Sequence, residues 1–197
     1  MILHLVRHAR SDGADNRCIG HTDLPLSRSS SDDARHTAAR WQLGAIAGLQ
    51  CISSDLDRAC ETATLLTAPD TQRQTDSRLR EMNFGEWDGR EWDDIERTDG
   101  AGLQSWMADW TTVRAPGGES FGDVIKRVSN LLDELPRDGD GTTLIVAHAG
   151  SIRAAGIALL GVPAMRAFSL AVDHLHLHSF SLTADSSTLI RWNASGF

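Results

Sequence analysis

Three short runs of apolar, β-prone residues punctuate the chain: ILHLV at 2–6, CISS at 51–54 and TTLIVAH at 142–148. Runs that do not alternate belong to strands covered on both faces, as in a parallel sheet. A fourth segment, HLHLHSFSL at 174–182, alternates strictly and predicts a strand with one wetter face. Helices are predicted over 29–46, 56–67, 120–135 and 150–160. The third is the clearest, because Phe121, Val124, Ile125, Val128, Leu131, Leu132 and Leu135 recur at helical spacing behind Ser120, with Asp123 placed to complete a capping box. Strands alternating with helices imply an α/β fold, a three-layer α/β/α sandwich around a mostly parallel central sheet.

Residues 82–119 break this rhythm, since Trp87, Trp92, Trp106 and Trp110 are scattered among glycines and acids before APGGES. They predict a small, partly helical cap over one edge of the sheet, its tryptophans mainly cap core with one or two at an entrance. With no repeat or linker to divide it, 1–197 reads as a single domain that includes this cap.

Composition narrows the function classes. The chain has 27 acidic and 19 basic side chains, a formal net charge of −8 that argues against nucleic acid as a partner. No apolar run reaches the roughly 18 residues of a membrane span, so no membrane partner is expected. The opening MILHLVRH has no basic segment ahead of its apolar run, and the three cysteines lack C-x-x-C spacing. A cytoplasmic protein is the expectation, with Cys51 and Cys60 as small core residues.

Ligands of open α/β sheets collect outside the carboxyl ends of the strands. The first apolar run ends in Arg7-His8, the second leads into SSDLDRA with Arg58, and the third ends in AHAGS with His148. Each is followed by a small-residue turn or a helix start, where free N–H groups favour an anion. Two arginines and two histidines converging there describe a phosphate pocket, because the guanidinium fork matches phosphoryl oxygens.

The motifs LVRHARSD, SSDLDRACETA, LREMNFGEWDG and VAHAGSIR follow one another across nearly the whole chain. Together they resemble the histidine phosphatase superfamily, also called phosphoglycerate mutase-like. The resemblance implies that His8 is the nucleophile that becomes phosphohistidine. Arg7, Arg58 and His148 would hold the phosphoryl oxygens, while Glu81 would protonate the leaving alcohol and later activate water. Ala149 and Asn16 are further phosphate contacts by the same resemblance, with neither cofactor nor metal implied. Softer likenesses, in GHTDLPLS, PGGESFGDVIKRV and HAGSIRAAGIALLGVP, point to the alpha-ribazole-5'-phosphate phosphatase branch and its phosphorylated small-molecule substrate. A broad-specificity phosphatase, a phosphoglycerate mutase and a non-catalytic phosphate-binding protein stay open as alternatives.

The chain departs from the superfamily pattern at Ala9-Arg10, which stand where Gly-Glu is usual, at Ala149, where a glycine commonly follows the second histidine, and at Ser30. Ala9 should be tolerated if φ there is negative. His174, His176 and His178 share one face of the predicted strand. At about 6 to 7 Å between alternate residues they do not converge on one ion. They are expected as a solvent-facing stripe, and either this stripe or an exposed strand edge could serve a homodimer.

Overall fold

The computed structural model describes residues 1–137 and 139–196. Its sheet has six strands in the order β3-β2-β4-β1-β5-β6. The strands β1 (Ile2–Arg7), β2 (Gln50–Ser53), β3 (Gln72–Thr75) and β4 (Thr142–Ala147) run parallel, whereas β5 (Leu177–Leu182) and β6 (Ser187–Ala194) add antiparallel at one edge. In the centre, β1 pairs with β4 from Ile2–Thr142 to Arg7–Ala147, so these two strands end level with each other. The apolar runs are there because both faces of β1 and β4 are covered. Leu3, Leu5 and Ile145 face one core, and Val6, Leu144 and Val146 the other.

Helices α1 (Arg28–Trp41) and α2 (Asp57–Leu66) cover the second of these faces through Trp41, Ala59, Ala63 and Leu66. On the opposite face lie α4 (Phe121–Glu134) and α5 (Ala149–Leu160), packed against each other. The expected three-layer α/β/α arrangement is therefore found. At the start of α4, Ser120 and Asp123 form the capping box, an N-cap of the kind worth about 1 kcal/mol.

Several boundaries differ from the pattern. Helix α1 stops at Trp41 rather than 46, because Gln42 adopts a left-handed φ of 52° and turns the chain. The expected strand at 174–182 begins only at Leu177, since Leu175 has a φ of 57° and breaks the alternation. Strands β3 and β6 were not expected. All four residues of β3 are exposed, so no apolar run marks it. Within 82–119 the longest element is α3 (Trp92–Ala108), which is bent at Asp99. The Asp99 carboxylate accepts the Trp87 Nε1–H at 3.0 Å and the Gly102 N–H at 3.2 Å. Trp87, Trp106 and Trp110 pack into the same core as α4 and α5.

Candidate active site

Because β1, β2 and β4 are parallel, their carboxyl ends deliver Arg7-His8, Ser53-Ser54 and His148 to one edge of the sheet. A cleft of ≈ 400 Å³ lies there, lined by Arg7, His8, Arg10, Arg58, Glu81 and His174 among others. His8 leaves β1 with its backbone N–H still bonded to Ala147 O at 2.9 Å, and only 7 % of the residue is exposed. Its Nδ1 lies 2.6 Å from Ala9 O. A carbonyl can only accept, so Nδ1 carries the proton and Nε2 keeps a bare lone pair. Burial, then the charges of Arg58, His174 and Arg7, pushes the imidazole pKa well below its usual 6.5. His8 is thus neutral at pH 7, as a nucleophile must be. Ala9 is fully buried without a positive φ, and its N–H bonds Thr62 Oγ1, so the methyl group is accommodated.

His148 caps α5 and is fully buried, its ring centroid 4.9 Å from that of His8. Neither of its ring nitrogens has a hydrogen-bond partner among the described residues. Its pKa is also pushed well down, first by burial and then by His8, Arg58 and Arg7. Arg58, in the first turn of α2, is 1 % exposed. Its terminal nitrogens donate to Thr22 O at 2.9 Å and Gly20 O at 2.6 Å. The loop holding those carbonyls is itself clamped, because Asp88 accepts the backbone N–H groups of Gly20, His21 and Thr22. Asp88, the aspartate of LREMNFGEWDG, therefore holds Arg58 in place from a distance. Arg7 gives one terminal nitrogen to Val172 O at 2.9 Å, while its Nε is buried without a partner. Burial lowers the pKa of both guanidinium groups.

Glu81 faces this cluster from the chain following the turn at Ser77–Leu79. Both its carboxylate oxygens accept the Gly150 N–H, at 3.0 and 3.1 Å, and Oε1 also takes the Met82 N–H at 2.9 Å. The free N–H groups of the α5 N-terminus thus seat an acid. Glycine at 150 leaves room for this seat, since a Cβ there would stand 2.0 Å from Glu81 Oε1 and push the carboxylate aside. The Glu81 carbonyl is fixed in turn by His21 Nε2 and Arg127, each at 3.0 Å.

Five of the residues expected at the site, His8, Arg7, Arg58, Glu81 and His148, come together in this way. Ala149 opens α5 but is not on the cleft wall, and Asn16 is exposed, off the wall, with its carbonyl bonded to the Trp92 N–H. Its neighbour Arg17 does line the cleft, held by Gly89 O and Glu91.

The expectation of a solvent-facing histidine stripe is overturned. His178 is fully buried, its ring centroid 4.3 Å from that of Trp192, and its pKa is lowered to about 4 by burial. His174 turns into the cleft instead, where its Nδ1 donates to His8 O at 2.7 Å and its ring meets that of His8 edge-on at 5.2 Å. Sequence reasoning missed it because the positive φ at Leu175 that redirects it leaves no hydrophobic signature. Among the described residues no group of three or more His, Cys, Asp or Glu side chains is placed to hold a metal ion.

The arrangement offers a bare imidazole nitrogen, two flanking arginines, unspent buried donors and an acid across the cleft. Such a set can bind a phosphoryl group and pass it through a covalent intermediate. Comparison with known proteins agrees. The model of the histidine phosphatase superfamily (branch 1) matches residues 3–195. The chain is 28% identical over 176 residues to the adenosylcobalamin/alpha-ribazole phosphatase of Salmonella typhimurium, covering 88% of this chain and 86% of that one. It is 35% identical over 173 residues to the glucosyl-3-phosphoglycerate phosphatase of Mycobacterium tuberculosis, covering 82% and 76%. The alpha-ribazole phosphatase from Shigella flexneri superposes with a TM-score of 0.89 at 25% identity, covering 100% of this chain and 98% of that one. The chain belongs to the histidine phosphatase superfamily and is a phosphoric monoester hydrolase.

Proposed function

We propose that this member of the histidine phosphatase superfamily hydrolyses alpha-ribazole 5'-phosphate through a phosphohistidine on His8, without a metal, as a single domain capped by residues 82–119. The observation that carries the mechanism is the set of unpaired buried nitrogens, both of His148 and Nε of Arg7, beside a His8 whose Nε2 is bare. Buried polar groups without partners are costly, and a phosphoryl oxygen would supply an acceptor for the Nε–H of Arg7 and for the one N–H of a neutral His148.

In the first step Nε2 of His8 attacks phosphorus and the bond to the leaving oxygen breaks. That oxygen takes the proton of the Glu81 carboxyl. The arginines stabilise charge on the remaining phosphoryl oxygens, which is where transition-state charge accumulates. In the second step the Glu81 carboxylate takes a proton from water as water attacks phosphorus. The N–P bond breaks, and phosphate and neutral His8 are restored.

The ribazole assignment draws on the likeness to the Salmonella and Shigella phosphatases. A second reading, an ester that carries a carboxylate, draws on Arg10 and Arg17 in the cleft wall and on the Mycobacterium relative. The test is steady-state phosphate release, with EDTA present, from alpha-ribazole 5'-phosphate, glucosyl-3-phosphoglycerate, 3-phosphoglycerate and p-nitrophenyl phosphate. A preference in kcat/KM for the ribazole ester is expected. A preference for the acidic esters would replace the substrate and leave the mechanism, whereas dependence on added metal would overturn the mechanism.

A further inference from the structure

Strand β1 loses its β5 partner just before the cleft. The last pair is Val6–Leu177, so the carbonyls of Arg7 and His8 lie beyond that ladder. Segment 172–175 takes over there. Leu175 N–H donates to Arg7 O at 3.0 Å, His174 Nδ1–H donates to His8 O at 2.7 Å, and the Arg7 guanidinium returns a bond to Val172 O at 2.9 Å. A backbone N–H and a side-chain N–H thus continue what strand pairing leaves off.

The turn that delivers them is strained. Leu175 holds a φ of 57°, a left-handed conformation that disfavours any residue with a Cβ, bulky ones most. Such a conformation persists where the surroundings over-determine it, and here it brings two donors onto Arg7 and His8.

The bond to His8 O has a counterpart. The same peptide unit, His8–Ala9, gives its N–H to Thr62 Oγ1 of α2 at 3.0 Å. A peptide is planar, so bonds at its carbonyl and at its N–H fix its rotation, which is ψ of His8 together with φ of Ala9. One residue further along lies Ala9 O, the acceptor that keeps the His8 proton on Nδ1. The rings add a second restraint, since His174 stands edge-on to His8 at 5.2 Å and His148 is tilted against it at 4.9 Å.

We infer that His174 is a positioning residue for the nucleophile: with Thr62 it locks the His8–Ala9 peptide, and so sets the tautomer that leaves Nε2 of His8 bare. The inference rests on the phosphohistidine reading of His8. Loss of His174 should slow transfer to His8 without weakening the hold of Arg7 and Arg58 on the phosphoryl oxygens.

Two substitutions separate the bond from the space the side chain fills. In His174→Asn the amide Nδ2 stands where Nδ1 stood and can still donate, whereas His174→Phe keeps a ring and has no donor. With p-nitrophenyl phosphate, His174→Phe should lower kcat/KM about tenfold, the size of one hydrogen bond, and leave the inhibition constant of inorganic phosphate within about twofold. His174→Asn should recover most of that loss. Nitrogen NMR of the His8 ring should show the proton on Nδ1 in the wild type and in His174→Asn, with protonated Nε2 appearing in His174→Phe. Three results would each overturn the inference: His174→Asn as slow as His174→Phe, an unchanged His8 tautomer in His174→Phe, or a phosphate inhibition constant that rises in step with the lost rate. The last would make His174 a phosphate contact instead. If neither variant folds, the wild-type spectrum decides, because a His174 whose Nδ1 carries no proton cannot donate to His8 O. Activity retained in His8→Ala would overturn the phosphohistidine reading itself, whereas the His8 tautomer in His174→Phe tests the role of His174 alone.

Discussion

At the floor of the cleft Arg58 is 1 % exposed and spends both terminal nitrogens on main-chain carbonyls, whereas at the rim Arg10 is exposed and its side chain makes no hydrogen bond among the described residues. His8 at the floor is oriented by the carbonyl of Ala9, and Glu81 is seated on the N–H groups of Met82 and Gly150. The backbone of strand ends and helix starts therefore does the aiming, and a backbone atom does not change with the side chain attached to it. The exposed side chain of Arg10 has no such restraint among the described residues. Chemistry set by the floor can be shared among relatives whose rims choose different substrates.

The hardest blow to this division would come from His8→Ala. Turnover should be abolished, because the variant lacks the nitrogen that would accept the phosphoryl group; appreciable multiple-turnover phosphate release would show that His8 is not the nucleophile. Arg58→Ala should cost about 100- to 1,000-fold in kcat, the usual loss when one charge-stabilising donor is removed. A near-normal rate would move Arg58 to a structural role beside Gly20 and Thr22.

Gly150→Ala should slow poor leaving groups roughly tenfold or more and p-nitrophenyl phosphate much less, since a Cβ 2.0 Å from Oε1 displaces the acid and p-nitrophenol leaves with little need of a proton. Equal slowing of both would mean that Glu81 is not the proton donor. For Arg10→Gln the expectation is less than about tenfold in KM and an unchanged kcat for a neutral leaving group, as for an exposed charge. A collapse in kcat would erase the distinction between rim and floor.

The pH profile sharpens the contrast most gently. His8 must be neutral to attack, and its pKa is held well below 6.5, chiefly by burial and next by Arg58. Around pH 6.5, kcat/KM should therefore show no acid limb due to His8 in the wild type. In Arg58→Ala, with one repelling charge gone, any such limb should move upward in pH. A wild-type limb centred near 6.5 would contradict the buried, neutral imidazole.

How much of this is legible in the sequence depends on how many neighbours each residue needs. Strands β1, β2 and β4 could be read because burial on both faces demands an unbroken apolar run, and α4 because one buried face imposes its period. Strand β3, Gln72–Thr75, carries no such demand at its exposed edge. The five floor residues were legible through a motif resemblance that a single histidine could not have provided. Illegible was His174, redirected by one positive φ at Leu175. Asn16 and Arg17 show the limit at a finer scale, since one position decides which of them reaches the cleft wall.

The bond from His8 Nδ1 to Ala9 O also bears on how long a phosphoryl group would stay. Once phosphorylated at Nε2, the ring is a cation. A carboxylate at Nδ1 would neutralise that charge and make the adduct a resting place. A peptide carbonyl offers only a dipole, so the ring remains electron-poor and the N–P bond a good one to break. A phosphohistidine at this position would in this sense be spring-loaded toward release, its lifetime dependent on which kind of oxygen the chain turns toward the back of the ring.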